Sequence, residues 1–191
     1  MNTNNNIMID IETTSTNPDA AIVSIGAIRF ARGGKLRKIG DMDSFYTKVS
    51  ISSCEDVGLH TDPSTMDWWS RQDQSVRYEA LENPTHRLSI HDALRKLAEW
   101  IGRGDNLIWG NGDDFDCVIL ASAYRACGIN VPWKFWNTRD VRTVFDLGGV
   151  KPWDLPTELK HHPVHDCWRQ IWGLQRSFGV IGMYQDKEKD E

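Results

Sequence analysis

The sequence predicts an α/β fold: a mixed sheet flanked by helices, with the first three strands antiparallel and the later strands connected through helices. Two observations carry this. Three apolar, β-branched runs follow one another in the first 50 residues with short connections, as in a meander. From residue 89 onward apolar residues recur at helical spacing instead, interrupted by a short strand-like run at 106–109. The order is strand, strand, strand, helix, strand, helix, strand, helix. There is no internal repeat and no linker suited to a second domain, so residues 1–183 read as one domain and 184–191 as a charged tail.

Taken in order, the first strand is Ile7-Met8-Ile9-Asp10-Ile11-Glu12-Thr13-Thr14, preceded by a polar run. Residues 13–19, with Asn17-Pro18, form a turn. Residues 21–30 are the second strand, and Gly33-Gly34 within 32–35 is a hairpin signal. Residues 44–50 are the third strand. Residues 52–65 read as irregular, after which Thr65 is the expected cap of a short helix through Met66, Trp68 and Trp69. A longer helix covers about 89–102: Ile90, Leu94, Leu97, Ala98 and Ile101 keep helical spacing and Gly102-Arg103-Gly104 stops it. The strand at 106–109 runs into the tight turn Gly110-Asn111-Gly112 and a helix from about 113 to 127, with Asp113 suited to its N-cap. Residues 135–144 read as a strand passing into a short helix that ends at Gly148-Gly149. The last helix covers about 163–178 and has Pro163 in its first turn.

The 191 residues are 40% hydrophobic and 26% charged, enough for a core of ordinary size. No apolar run approaches a membrane span, and the polar N-terminus is unlike a signal peptide, so a cytoplasmic protein without membrane contact is expected. Cys54, Cys117, Cys127 and Cys167 form no CxxC pair and are expected as free thiols. A net charge of -5 counts against broad, charge-driven nucleic-acid binding, but not against an enzyme that grips a strand end. Of the nine tryptophans most are expected in the core, and some are candidates to stack on bases.

Four carboxylates stand in places that a solvated side chain does not explain. Alternation along the first strand puts Asp10 and Glu12 on one face, where two like charges lose water side by side; a divalent cation is the simplest compensation. Asp116 falls on the apolar stripe of its helix with Ile119, Leu120, Ala123 and Cys127. Asp166 borders the stripe Cys167, Ile171, Leu174 and Phe178 in the first turn of the last helix. His161 would diverge from Asp166 on one continuous helix, so it belongs on the loop entering that helix, where it leans over the same site. The spacing of His161, His162, His165 and Cys167 fits no helical HExxH pair and no zinc knuckle.

An Asp-x-Glu strand, a later Phe-Asp on a helix and a His-x4-Asp near the last helix resemble the DEDDh family of 3′-5′ exonucleases, which have a ribonuclease H-like fold; here these are Asp10-Ile11-Glu12-Thr13, Phe115-Asp116, and His161 with Asp166. Met66-Asp67-Trp68-Trp69 with Gln72, Trp109-Gly110-Asn111-Gly112 and Arg139-Asp140-Val141-Arg142-Thr143 are similar to the exoribonuclease subgroup of mycobacterial ribonuclease AS, and to phage and prophage proteins labelled exodeoxyribonuclease VIII. Many relatives carry an Ala-Leu-Asp-Asp-Ala run around the final Asp, where this chain has Pro163-Val164-His165-Asp166-Cys167. The His-x4-Asp spacing survives the change.

The resemblance implies a 3′-5′ exonuclease that acts on the 3′ end of single-stranded RNA or DNA, RNA favoured, and releases nucleoside 5′-monophosphates. It implies two Mg²⁺ or Mn²⁺ ions held by Asp10, Glu12, Asp116 and Asp166, with Asp10 bridging them, and His161 as general base. Thr13 would lie beside the terminal nucleotide, Trp68, Trp69 and Trp109 are the candidates for base stacking, and Asn111 for a polar contact at the site edge. Homodimers occur among relatives. The alternatives from other classes are a non-catalytic nucleic-acid-binding protein on the same fold and a phosphodiesterase for a small nucleotide.

Overall fold

A computed structural model describes residues 5–33, 36–112, 114–151, 154–155 and 161–183. Part of the hairpin signal (Gly34, Lys35), the proposed N-cap Asp113 and the tail 184–191 lie outside the described residues. The elements are β1 (Asn6–Thr13), β2 (Ile22–Phe30), β3 (Ser44–Val49), α1 (Ile51–Glu55), α2 (Pro63–Ser70), α3 (Gln74–Arg77), β4 (Arg87–Leu88), α4 (Ile90–Ile101), β5 (Leu107–Gly110), α5 (Asp116–Ala126), β6 (Thr138–Asp140), α6 (Val141–Gly148) and α7 (Pro163–Val180).

The strands form one sheet in the order β4-β3-β2-β1-β5-β6. β1, β2 and β3 are antiparallel neighbours, as the short connections imply, while β5 and β6 run parallel to β1. The alternation of β1 divides the protein into two layers. Ile7, Ile9 and Ile11 join the buried faces of α4 and α5, including Leu94, Leu97, Leu120 and Ala123. Met8 points the other way, into a cluster with Ile28, Phe145, Ile171 and Leu174 of β2, α6 and α7. Asp10 and Glu12 share the face of Met8 and therefore look toward α7.

Gly26 of β2 is opposite Asp10 in the ladder. A Cβ there would sit 2.6 Å from backbone atoms of Pro163 and Val164. The missing side chain lets the first turn of α7 rest directly on the strand.

Several boundaries differ from those the sequence predicts. Residues 51–55 form α1, over the start of the stretch read as irregular, and β4 adds two residues to the sheet beside β3. Both are too short to show a period. α2 is capped by Asp62, whose Oδ1 accepts from the Ser64 amide at 2.7 Å, and begins at Pro63 rather than behind Thr65. α5 begins at Asp116 because Phe115 is still held in a turn by the Gly112 carbonyl. No helix among the described residues is long and apolar enough to cross a membrane.

Candidate active site

The carboxyl end of β1 is where the two layers open. β5 pairs with β1 only as far as Met8, so the β1 edge beyond it has no strand partner on that side among the described residues. Asp116 fills this place: its Oδ1 accepts from the Ile11 amide at 3.1 Å and its Oδ2 from the Asn111 amide at 3.2 Å. The helix stripe thus buries Asp116 (3% exposed) and gives both oxygens a backbone donor. Gly110 leaves room for it, since a Cβ there would lie 3.1 Å from Oδ2.

Asp10 and Glu12 project from β1, and Asp166 projects toward them from the first turn of α7. One carboxylate oxygen of each lies within 4.8 Å of the other two. All four carboxylates line one pocket of about 340 Å³, together with His161, Asn111, Phe115, Arg142, Arg169 and Gln170. Burial pushes Glu12 up to about 8, and the charges of Asp166 and Asp116 add to it. Asp10 is raised well above the usual carboxylate range, by burial first and then by Asp116, Glu12 and Asp166. Burial also lifts Asp116 to about 7, against the pull of the Ile11 and Asn111 amides and Arg142. Carboxylates forced together in this way are short of positive charge. An all-oxygen donor set of this kind suits a hard divalent cation, which Asp10, Glu12 and Asp166 could hold, with Asp116 at the pocket wall.

His161 is on the loop entering α7, as its spacing from Asp166 implies, and has a positive φ of 61° that its side chain does not favour. Its ring meets the edge of Trp68 at 5.2 Å between centroids. Trp68 is 38% exposed and lines an adjoining groove of about 490 Å³ with Ile11, Thr13, Thr65, Arg71 and Phe115. The buried Thr13 hydroxyl donates to the Ser15 carbonyl at 2.6 Å, so Thr13 meets the groove as a wall.

Two expected stacking residues are core residues instead. Trp69 is 1% exposed, packs with Val23 and Ala80, and donates its indole N–H to the Thr13 carbonyl at 2.9 Å. Trp109 is buried between Phe30 and Phe178 and donates to Asn6 Oδ1 at 3.1 Å. Each has its apolar ring covered and its single donor satisfied, and Trp69 meets the groove beside Trp68 only as part of its wall. The Asn111 contribution that the structure displays is its backbone amide.

Sequence reasoning missed Gln170, Arg142 and Arg169. Gln170 donates from Nε2 to Asp10 Oδ1 at 2.8 Å, and Arg169 donates to Asp166 Oδ1. Gln170 is one helical turn after Asp166, a spacing that could have found it. Asp140 caps α6 through the Arg142 and Thr143 amides and also accepts from the Gly112 amide, so it ties Arg142 to the Gly110–Gly112 turn.

The same architecture occurs in solved structures. An exonuclease I of E. coli in complex with a dT13 oligonucleotide superposes with a TM-score of 0.62 at 14% identity, over 93% of this chain and 42% of that one. A zinc-bound complex of E. coli exonuclease I with single-stranded DNA gives 0.57 at 15% identity, over 95% and 41%. The chain thus spans about four tenths of those proteins. An exodeoxyribonuclease of Enterobacteria phage T4 is 24% identical over 217 aligned residues, which cover 96% of this chain and 95% of the relative. The fold is the one these exonucleases share, and its pocket gathers the carboxylates Asp10, Glu12 and Asp166. More narrowly, residues 5–178 match the model of the 3′-5′ exoribonuclease Rv2179c-like domain, and the chain belongs to that family.

Proposed function

We propose that the protein shortens single-stranded nucleic acid from its 3′ end, RNA in preference to DNA, and releases nucleoside 5′-monophosphates. The observation that carries this reading is the meeting of Asp10, Glu12 and Asp166 within 4.8 Å, in a pocket that His161 and Asp116 also line. Asp10, Glu12, Asp116 and Asp166 would hold two Mg²⁺ or Mn²⁺ ions, which when bound supply charge stabilisation for the attacking and leaving oxygens. Asp10 and Glu12 are fixed by a central strand, and Asp116 by two amides, so the donor set is organised before substrate arrives. His161 takes the proton of the attacking water, and the Trp68 edge limits where its imidazole can turn. The groove of Thr13, Trp68 and Phe115 receives the terminal nucleoside, with Trp68 as the exposed aromatic surface.

The family description favours RNA. DNA is the second reading, favoured by the T4 exodeoxyribonuclease, which matches over nearly its whole length. The test uses 5′-labelled RNA and DNA oligonucleotides of one sequence with Mg²⁺, with Mn²⁺ and with EDTA, beside Asp116→Ala. A metal-dependent ladder shortening from the 3′ end, absent in the variant and faster on RNA, is the expected result. Faster loss of DNA would reverse the substrate assignment, and intact strands throughout would remove the nuclease reading.

A further inference from the structure

Two hollows continue from the carboxylate pocket along the outer face of α7. Arg169 lines that pocket and also a hollow of about 190 Å³ shared with Lys38, Ile39, His165 and Trp168. The carbonyl of the preceding residue, Arg37, accepts the Trp168 indole N–H at 3.0 Å. Arg37 then lines the next hollow, of about 430 Å³, with Arg29, Gln175 and Asp43 among its walls. Four cations, Arg169, Lys38, Arg37 and Arg29, therefore follow one another outward from the site.

This row runs against the composition of the chain, whose net charge is -5. The carboxylate that lines the outer hollow, Asp43, is already paired with Arg29 at 3.2 Å. Arg37 and Lys38 are exposed and have no ion-pair partner among the described residues. Trp168 adds a flat apolar wall between them and Arg169. The groove that holds Trp68 has one cation in its lining, Arg71, paired with Asp67 at 3.0 Å, and the carboxylate of Glu12 beside it; along α7 Arg169 is likewise paired, with Asp166, so the exposed cations of the row without an ion pair among the described residues are Arg37 and Lys38. That groove thus suits an uncharged terminal nucleoside and the row a polyanion.

We propose that the row Arg169–Lys38–Arg37 carries the phosphodiester backbone of the strand upstream of the cleaved bond. The assignment rests on the exonuclease reading above and adds to it the path of the strand and a dependence on its length. A dinucleotide fills the carboxylate pocket and the nucleoside groove but does not reach Lys38 and Arg37. A longer strand does, and each phosphate it places on a cation adds about 0.7 to the slope of log affinity against log salt.

The experiment compares wild-type protein, Arg37→Ala/Lys38→Ala and the charge-keeping Arg37→Lys/Lys38→Arg on a dinucleotide and on a single strand of about twelve nucleotides, over a salt series. In the alanine variant KM for the longer strand rises at least tenfold and its salt slope falls by about 1.4, the equivalent of two contacts. Its kinetics on the dinucleotide match wild type, and the charge-keeping variant matches wild type on both substrates. An unchanged KM and salt slope on the longer strand would overturn the row while leaving the exonuclease reading in place. Equal losses on both substrates would also overturn it, because the two residues would then act through the fold. Wild-type protein that cleaves neither substrate would sink the exonuclease reading and the row together.

Discussion

Asp116 differs from the other three carboxylates in where its oxygens point. Both already accept backbone amides, from Ile11 and Asn111, so the residue closes the open edge of β1 while it faces the pocket. An amide in its place offers one acceptor and turns an NH₂ toward the second donor. We therefore expect Asp116→Asn to lower turnover at least a hundredfold and also to cost about 1–3 kcal/mol of stability, read by chemical denaturation. Gln170 makes the opposite case. Its Nε2 holds Asp10, while its Oε1 is buried with no hydrogen-bond partner among the described residues. Gln170→Leu removes the hold on Asp10 and the orphan acceptor at once. We expect stability to be unchanged or higher, but turnover to fall about tenfold with a weaker apparent Mn²⁺ affinity; unaltered metal titration would show that Asp10 needs no such support. At this scale the sequence was most informative about charge. Asp10 and Glu12 were legible from strand alternation and Asp116 from a helical stripe, because a carboxylate on an apolar face is an anomaly in one dimension. Trp69 and Trp109 were not, because a tryptophan facing the core and one facing a base make the same local pattern.

The elements have to be brought together as tightly as the residues are placed. Asp166 reaches Asp10 and Glu12 only because α7 begins on top of Gly26, with Pro163 and Val164 backbone atoms 2.6 Å from where a Cβ would stand. These are backbone neighbours, so they cannot turn aside as a flexible side chain would. Gly26→Ala is expected to push the first turn of α7 off β2, at a cost of about 1–3 kcal/mol in denaturation. The displacement carries Asp166 with it, so turnover should fall at least tenfold at temperatures where the variant remains folded. Gly40, with nothing within 4 Å of its Cβ direction, is the control, and Gly40→Ala should match wild type in both measurements. The order of the main elements was legible from period alone, and so was the antiparallel start of the sheet from its short connections. α1 and β4 were not, since five and two residues hold no measurable period. The seat of α7 on Gly26 was hidden for another reason. A glycine in a strand looks the same whether its empty side faces solvent or a helix.

For the molecule as a whole, the site is assembled late along the chain and at a cost. Its acidic groups come from β1, from α5 and from α7, so Asp10 and Glu12 meet the charges of Asp116 and Asp166 only when both layers have closed on the sheet. That cost depends on pH with a definite sign. Burial pushes Glu12 up from 4.5 to about 8, and Asp116 up from 3.8 to about 7. Between the unfolded and folded values the native state holds more protons than the unfolded chain, so stability falls as pH rises through this window. Below about pH 4 the contribution is fully present, and above about pH 8 it is gone. A divalent cation held at the proposed site would reverse the balance, because it would bind the ionised groups of the folded protein and not the dispersed groups of the unfolded one. We expect Tm in EDTA to decline steadily from pH 5 to pH 8, and Mn²⁺ or Mg²⁺ to raise it far more at pH 8 than at pH 5, as measured by differential scanning calorimetry. Neutralising one member should flatten the curve: Glu12→Gln removes one of the raised groups, so its Tm in EDTA should lie above that of wild type at pH 8 and gain less from the cation. A wild-type Tm that is level across this range without metal would mean that the carboxylates are relieved by water alone, and the electrostatic argument for a cation at the end of β1 would fail with it.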